Sequence, residues 1–157
     1  MPKIHLTTFI AAPIERVFDL SRSINLHSIS TAQTNERAIA GVITGLINLN
    51  ETVTWQARHL FKTRQHTTKI TAMESPVYFV DEMTKGDFKS FRHEHHFKQA
   101  ANGTISIDVL EFESPYGAAG KIFNTIYLKR YLEKFLVKRN ATIKEYAETQ
   151  KWKAILV

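Results

Sequence analysis

The stretch Tyr116–Glu148, YGAAGKIFNTIYLKRYLEKFLVKRNATIKEYAE, decides the fold. Ser114-Pro115-Tyr116-Gly117 and Gly120 end a strand and turn the chain at its start. Past that turn Ile122, Phe123, Ile126, Tyr127, Tyr131, Phe135 and Leu136 recur at three- and four-residue steps, and Ile143 and Ala147 continue the row. Lys121, Lys129, Lys134, Lys138 and Lys144 fall on the other side. This spacing predicts one long amphipathic helix with a wide apolar stripe. Nearly everything before it reads as strand, so the stripe must bury itself against a sheet. A curved antiparallel sheet wrapped around one helix leaves room for a cavity between them.

The rest of the chain supplies that sheet. Lys3 to Ala11 alternates, with Ile4, Leu6 and Ile10 on one face and His5, Thr7 and Phe9 on the other. Pro13 fits the first turn of a helix, where its missing N–H is not needed. Ile14, Val17, Phe18 and Leu20 form a short helical face, and a second short helix or irregular turn covers Ile24 to Ser30. Strands are predicted over Glu36–Ile43, Glu51–Phe61, Arg64–Met73, Val77–Thr84, Phe88–Gln99 and Thr104–Glu113. Asn102-Gly103 reads as a two-residue hairpin turn with positive φ at both central positions. Strands joined by short turns pair antiparallel. The expected fold is α+β: a seven-stranded antiparallel sheet, two short helices after strand 1 and one long C-terminal helix.

Composition narrows the function classes. At 157 residues, with 43% hydrophobic and 23% charged content, the chain fits one globular domain, 1–157. The absence of cysteine excludes disulfides, thiolate zinc sites and a Cys nucleophile. No window approaches the ~18–20 apolar residues of a membrane span. Met1-Pro2-Lys3-Ile4-His5 alternates like a strand and lacks a signal peptide's apolar region, so a cytoplasmic location is the default. The net charge of +6 is spread among acids and reads as solubility, although Lys129-Arg130 and Lys138-Arg139 could favour an anionic surface or ligand. No nucleic-acid signature accompanies these pairs. Nothing specifies an oligomeric state.

The opening Phe9-Ile10-Ala11-Ala12-Pro13-Ile14-Glu15-Arg16-Val17-Phe18 and the closing long helix resemble the START-like superfamily, also called SRPBCC, over essentially the whole chain. Thr34–Gly41, Val53–His59, Phe79–Met83 and Ser90–His95 look like segments of its small bacterial ligand-binding subgroup. The resemblance implies a helix-grip fold and a small hydrophobic ligand, such as a lipid, an aromatic polyketide-like compound or a quinone.

In Phe88–Gln99, alternation puts Phe91, His93, His95 and Phe97 on one face and Arg92, Glu94 and His96 on the other. The face bracketed by phenylalanines is expected inside. His93 and His95 could line a pocket, do acid–base work or form half a metal site. A zinc site needs at least one more ligand. Glu111, taken with Val109 to share an inward face of the next strand, is the candidate. Pocket lining is preferred to metal, and neither metal nor cofactor is expected. Asp81 follows Phe79 on one face and is a candidate for the interior, while Glu82, Arg92 and Glu94 read as an exterior ladder. Trp55, with Val53, Ala57 and His59, either fills core or borders the cavity. Phe123, Tyr127 and Tyr131 approach from the helix.

The chain contains no Gly-rich phosphate loop, G-x-S-x-G elbow or H-E-x-x-H helix. An enzyme built on it would work by acid–base chemistry through His93, His95, Asp81 or Glu111, as a cyclase or dehydratase. A binding protein is the preferred reading. A protein-interaction module with a filled cavity is a further alternative.

Overall fold

Seven strands form one antiparallel sheet in the order β1-β7-β6-β5-β4-β3-β2. They are β1 (Lys3–Ile10), β2 (Arg37–Gly41), β3 (Thr52–His59), β4 (Lys62–Glu74), β5 (Tyr78–Lys85), β6 (Ser90–Ala100) and β7 (Gly103–Glu113). The structure, a computed structural model, describes residues 1–59, 61–114 and 124–157. Helices α1 (Ile14–Ser21) and α2 (Ile24–Ser30) follow β1, and α3 (Lys129–Glu148) closes the fold before a last short turn, α4 (Lys153–Leu156). This is the architecture expected from the sequence, with strand limits moved by a few residues.

Strands β2 to β7 are a meander, and β1 joins β7 at the far edge, Lys3 facing Glu111 and Ile10 facing Thr104. Register shifts in β4 against β5, at Thr67/Thr68 and at Ile70/Ala72, bend and twist the sheet. The β6–β7 turn has Ala101 and Asn102 at its centre, since Ala100 pairs with Gly103. This corrects the turn expected at Asn102-Gly103. Neither Asn102 nor Gly103 has positive φ. The glycine serves a close approach instead: a Cβ on Gly103 would lie 2.3 Å from the Ile10 carbonyl oxygen of β1.

Helix α3 lies along the inner face. It is tied to β1 and α1 by Lys144 Nζ to the Phe9 carbonyl (2.7 Å), Glu148 to the Ala11 N–H (2.8 Å) and Arg16 to the Ala147 carbonyl (3.1 Å). Its buried row is Leu136, Arg139, Asn140, Ile143 and Ala147, with Leu132 packed beside it and Leu128 buried just before its start. The predicted stripe overlaps this row only in part. Ile126 and Tyr127 are about half exposed, because Asn124–Leu128 is a π turn. Its wider winding shifts the phase of side chains relative to the α-helix that follows. The predicted segment 116–123, with Phe123, lies outside the described residues.

The larger core cluster sits where α1 and α2 cover the sheet. Phe18 of α1 meets Phe79 and Phe97 edge-on, at ring separations of 5.6 and 5.5 Å. A second cluster joins Ile4, Leu110 and Phe112 to Leu136 of α3 and to Leu128 just before it. The two leave between them the space that holds the site.

Candidate functional site

Three adjacent strands place four titratable side chains on the inner face of the sheet. Asp81 of β5 is directly opposite His93 of β6, and His95 of β6 is opposite Asp108 of β7. Residues opposite each other in an antiparallel pair share a face, so the quartet converges. His95 Nε2 lies 2.7 Å from Asp81 Oδ2, and His93 Nε2 lies 2.8 Å from Asp108 Oδ1. His95 Nδ1 is 3.4 Å from the same Asp108 oxygen. The imidazoles are 3.8 Å apart, and His95 stacks on Phe79 at 4.1 Å.

Helix α3 completes the cluster from above. Asn140 Nδ2 donates to Asp108 Oδ2 at 2.7 Å, and Arg139 lies 3.8 Å from Asp108 while donating to the Ser21 carbonyl at 3.1 Å. Asp108, Arg139 and Asn140 are all buried. A buried carboxylate is tolerated when donors surround it, and Asp108 has them on both sides.

These contacts set the protonation states. Burial pushes the Asp81 carboxyl up, but its hydrogen bond to His95 and the charge of His95 outweigh this and hold it at about 2. Burial opposes the charge of Asp108 too, yet the bonds from His93 and His95 hold its pKa well below the usual range. His95 is raised: burial works against its charge, and the bonds to Asp108 and Asp81 more than compensate. His93 is lowered, first by burial and then by the charge of His95. The cluster thus combines two carboxylates held in the ionised form, a guanidinium and two imidazoles shifted in opposite directions. Separating the protonation of neighbouring imidazoles in this way equips a site for acid–base work as well as for orienting a ligand.

Beside the cluster is a cavity of about 320 Å³ between the sheet and α3. Trp55, Phe79, Phe91 and Leu110 line it from the sheet, and Leu132 and Leu136 line it from the helix. Asp81, His93, His95 and Arg139 form a polar floor. His27 packs against Trp55 with the rings tilted and their centroids 4.2 Å apart, and it bonds Glu36 at 2.6 Å.

The expected site residues are distributed as follows. Asp81, His93, His95, Trp55, Phe79, Phe91 and Tyr131 border the cavity. Phe97 is buried in the core beneath α1 and does not line it. Val109 and Glu111 correct the sequence reading. They lie on the outer face of β7, where Glu111 pairs with Lys3 at 3.2 Å. The inner face carries Thr104, Ser106, Asp108, Leu110 and Phe112. Tyr127 is half exposed and lies outside the lining. Phe123 and the His59 side chain lie outside the described residues. Asp108, Arg139 and Asn140 were not anticipated.

The possible ligand atoms of Asp81, His93 and His95 all lie within 4.8 Å of one another. Two imidazoles and a carboxylate are the donor set of a facial metal site. A divalent ion there would have to displace the proton shared by His95 and Asp81 and tolerate Arg139 nearby.

A curved antiparallel sheet folded around one long helix, with a cavity between them, is the helix-grip fold. The chain shares it with solved structures at low sequence identity. A protein from Thermus thermophilus, TTHA0849, matches with a TM-score of 0.76 at 15% identity, over 93% of this chain and 97% of that one. Ginseng major latex-like protein 151 from Panax ginseng matches with a TM-score of 0.70 at 15% identity, over 94% and 98%. A START superfamily protein from Mycobacterium smegmatis matches with a TM-score of 0.70 at 12% identity, over 93% and 97%. No protein-family model matches the chain, and no curated protein does. No helix among the described residues is long and apolar enough to cross a membrane.

Proposed function

We propose that this chain, as one domain over residues 1–157, binds a small, largely hydrophobic ligand between the sheet and α3. The observation that carries this reading is the cavity of about 320 Å³, with apolar walls and a polar floor. Small-molecule sites have this form, apolar surface for affinity and a few placed polar groups for orientation. The volume favours a binder over an interaction module with a filled interior. Candidate ligands are lipids, aromatic polyketide-like compounds and quinones.

Ligand titration tests the reading. Trp55 lines the cavity, whereas Trp152 packs at the C-terminal end under Arg16, 4.2 Å from its ring centroid. With Trp152→Phe removing the background, an apolar ligand entering the cavity is expected to shift the emission of Trp55. At ~100 times its Kd the ligand should add about 2.7 kcal/mol of stability. If a screen of fatty acids, sterols, flavonoid-like aromatics and quinones moves neither emission nor melting temperature, the reading is wrong.

A second reading has its own support. Carboxylates lie 2.8 Å from His93 and 2.7 Å from His95, and a carboxylate-oriented imidazole is the usual form of a general base. An acid–base enzyme of the cyclase or dehydratase kind is the alternative. Turnover of a bound carbonyl compound that is lost in His93→Gln would favour it over a binder.

A further inference from the structure

Among the side-chain polar atoms of Asp81, His93 and His95, four are bonded within the protein and two are not. Arg139 donates to the Ser21 carbonyl and, at 2.9 Å, to Asn140 Oδ1. Asn140 donates its amide to Asp108. His93 Nε2 donates to Asp108, and His95 sits between Asp108 and Asp81. Two N–H groups of Arg139, the Asn140 amide and the ring N–H groups facing Asp108 and Asp81 are thus used within the protein. Two further arginines around the cavity are paired, Arg22 with Asp19 at 2.9 Å and Arg64 with Asp87 at 2.6 Å, and the His27 ring bonds Glu36 at 2.6 Å.

The two remaining atoms are the second carboxylate oxygen of Asp81 and the second ring nitrogen of His93. Neither has a protein partner among the described residues. Nor is either sealed away, because Ser90 Oγ is the one buried side-chain polar atom without a partner among those residues. Asp81 and His93 both line the cavity, and Asp81 keeps 19% of its side chain accessible. A carboxylate oxygen accepts hydrogen bonds. With Nε2 carrying the proton toward Asp108, the second nitrogen of His93 presents a lone pair and accepts as well. Asp81 and His93, directly opposite each other in β5 and β6, therefore offer two acceptors, and a ligand hydroxyl supplies the proton they lack.

We propose that the floor selects a neutral ligand with a hydroxyl donor at its polar end, an alcohol or phenol, over carboxylates and over groups that only accept. This rests on the ligand-binding reading above and sharpens it. An ionised carboxylate would bring further acceptors and a further negative charge against Asp81. A quinone carbonyl or an ether would leave both acceptors desolvated and unmatched, whereas a hydroxyl satisfies one of them directly.

Calorimetric titration of the full chain at pH 7 with three compounds sharing one apolar body tests this: 2-naphthol, its methyl ether and 2-naphthoate. The naphthol is expected to bind about tenfold more tightly than the ether, with the naphthoate weakest. Asp81→Asn replaces the charged acceptor by an amide that can donate. In it the naphthol's advantage should shrink below about threefold and the naphthoate should overtake the ether. Equal binding of ether and naphthol, or naphthoate binding at least as tightly as naphthol, overturns the proposal while leaving ligand binding intact. Failure of all three to bind overturns this inference, and overturns ligand binding with it when the wider screen of fatty acids, sterols, aromatics and quinones is silent too. The wild-type ranking decides the matter if the variant does not fold.

Discussion

His95 and His96 are neighbours in sequence, and each is bonded to a carboxylate, His95 to Asp81 at 2.7 Å and His96 to Glu94 at 2.9 Å. One step along β6 moves the side chain from the inner face to the outer, and its exposure from 4% to 37%. The consequences diverge. His95 is raised in pKa because its buried carboxylate partners outweigh its burial. His96 is lowered, by its own desolvation and then by the charges of His95, Lys98 and Arg92. Its partner Glu94 also bonds Arg92, which reaches Glu82 at 3.6 Å, in a solvated ladder. The same pair of residue types is thus a buried, hydrogen-bonded unit on one face and an interchangeable surface contact on the other.

The largest test of this contrast is Asp108. Asp108→Ala leaves His95 and Arg139 in a buried site without their shared carboxylate. The expected loss is about 3–5 kcal/mol in urea unfolding. A loss below about 1 kcal/mol would place the inner cluster on the same footing as the outer one.

Next comes the acid limb set by Asp81. Its folded-state pKa of about 2 lies below the ordinary 3.8. Its contribution is therefore present above pH ~4 and lost as the pH falls toward 2, and the shift corresponds to about 2 kcal/mol. Asp81→Asn should flatten stability against pH in that window. An unchanged slope would mean that Asp81 is not held as an anion by His95.

The two inner histidines pull in opposite directions about the ordinary value of 6.5. His95, raised, stabilises fully below 6.5, and that contribution fades as the pH rises through its folded value. His93, lowered, favours the fold above 6.5, and this is lost as the pH falls toward its folded value. Stability from the pair should therefore peak near pH 6.5, and His95→Gln should remove the decline on the alkaline side. Imidazole titration followed by NMR should place the His93 midpoint below 6.5 and the His95 midpoint above it.

The smallest effect belongs to the outer face. Glu94→Gln should cost under about 1 kcal/mol and less in high salt, because both partners remain solvated.

Much of this site could be read from residue order, and its misreadings have a common cause. The facing of β6 was legible because Phe91 and Phe97 bracket the histidines. The facing of β7 was inverted because the outer row, Ile105, Ile107 and Val109, is more apolar than the inner row, Thr104, Ser106 and Asp108. A hydrophobic-in rule fails where buried polar groups satisfy one another. The hairpin held the missing information. Any two-residue turn at 101–102 or 102–103 pairs odd positions of β6 with even positions of β7. His93 and His95 inside then require Asp108 inside and Glu111 outside. On α3, Arg139 lies three residues after Leu136 and four before Ile143, within the buried row. Its charge suggested solvent, and only the carboxylate waiting across the cavity explains its burial.

The position of β1 governs how the molecule is assembled over time. Strands β3 to β7 are joined by short turns and can zip by neighbour-to-neighbour contacts. β1 must wait for β7: the Thr104 hydroxyl that bonds the Ala12 carbonyl lies 92 positions away. Closing so long a loop is the entropically expensive step, and such non-local pairing slows folding. Helix α3, emerging after β7 and clasping Phe9 and Ala11, locks that edge once it has formed. During synthesis the first strand therefore waits without its sheet partner until most of the chain has been made. In hydrogen exchange on the folding chain, protection of the β1 amides should appear after that of β4, β5 and β6.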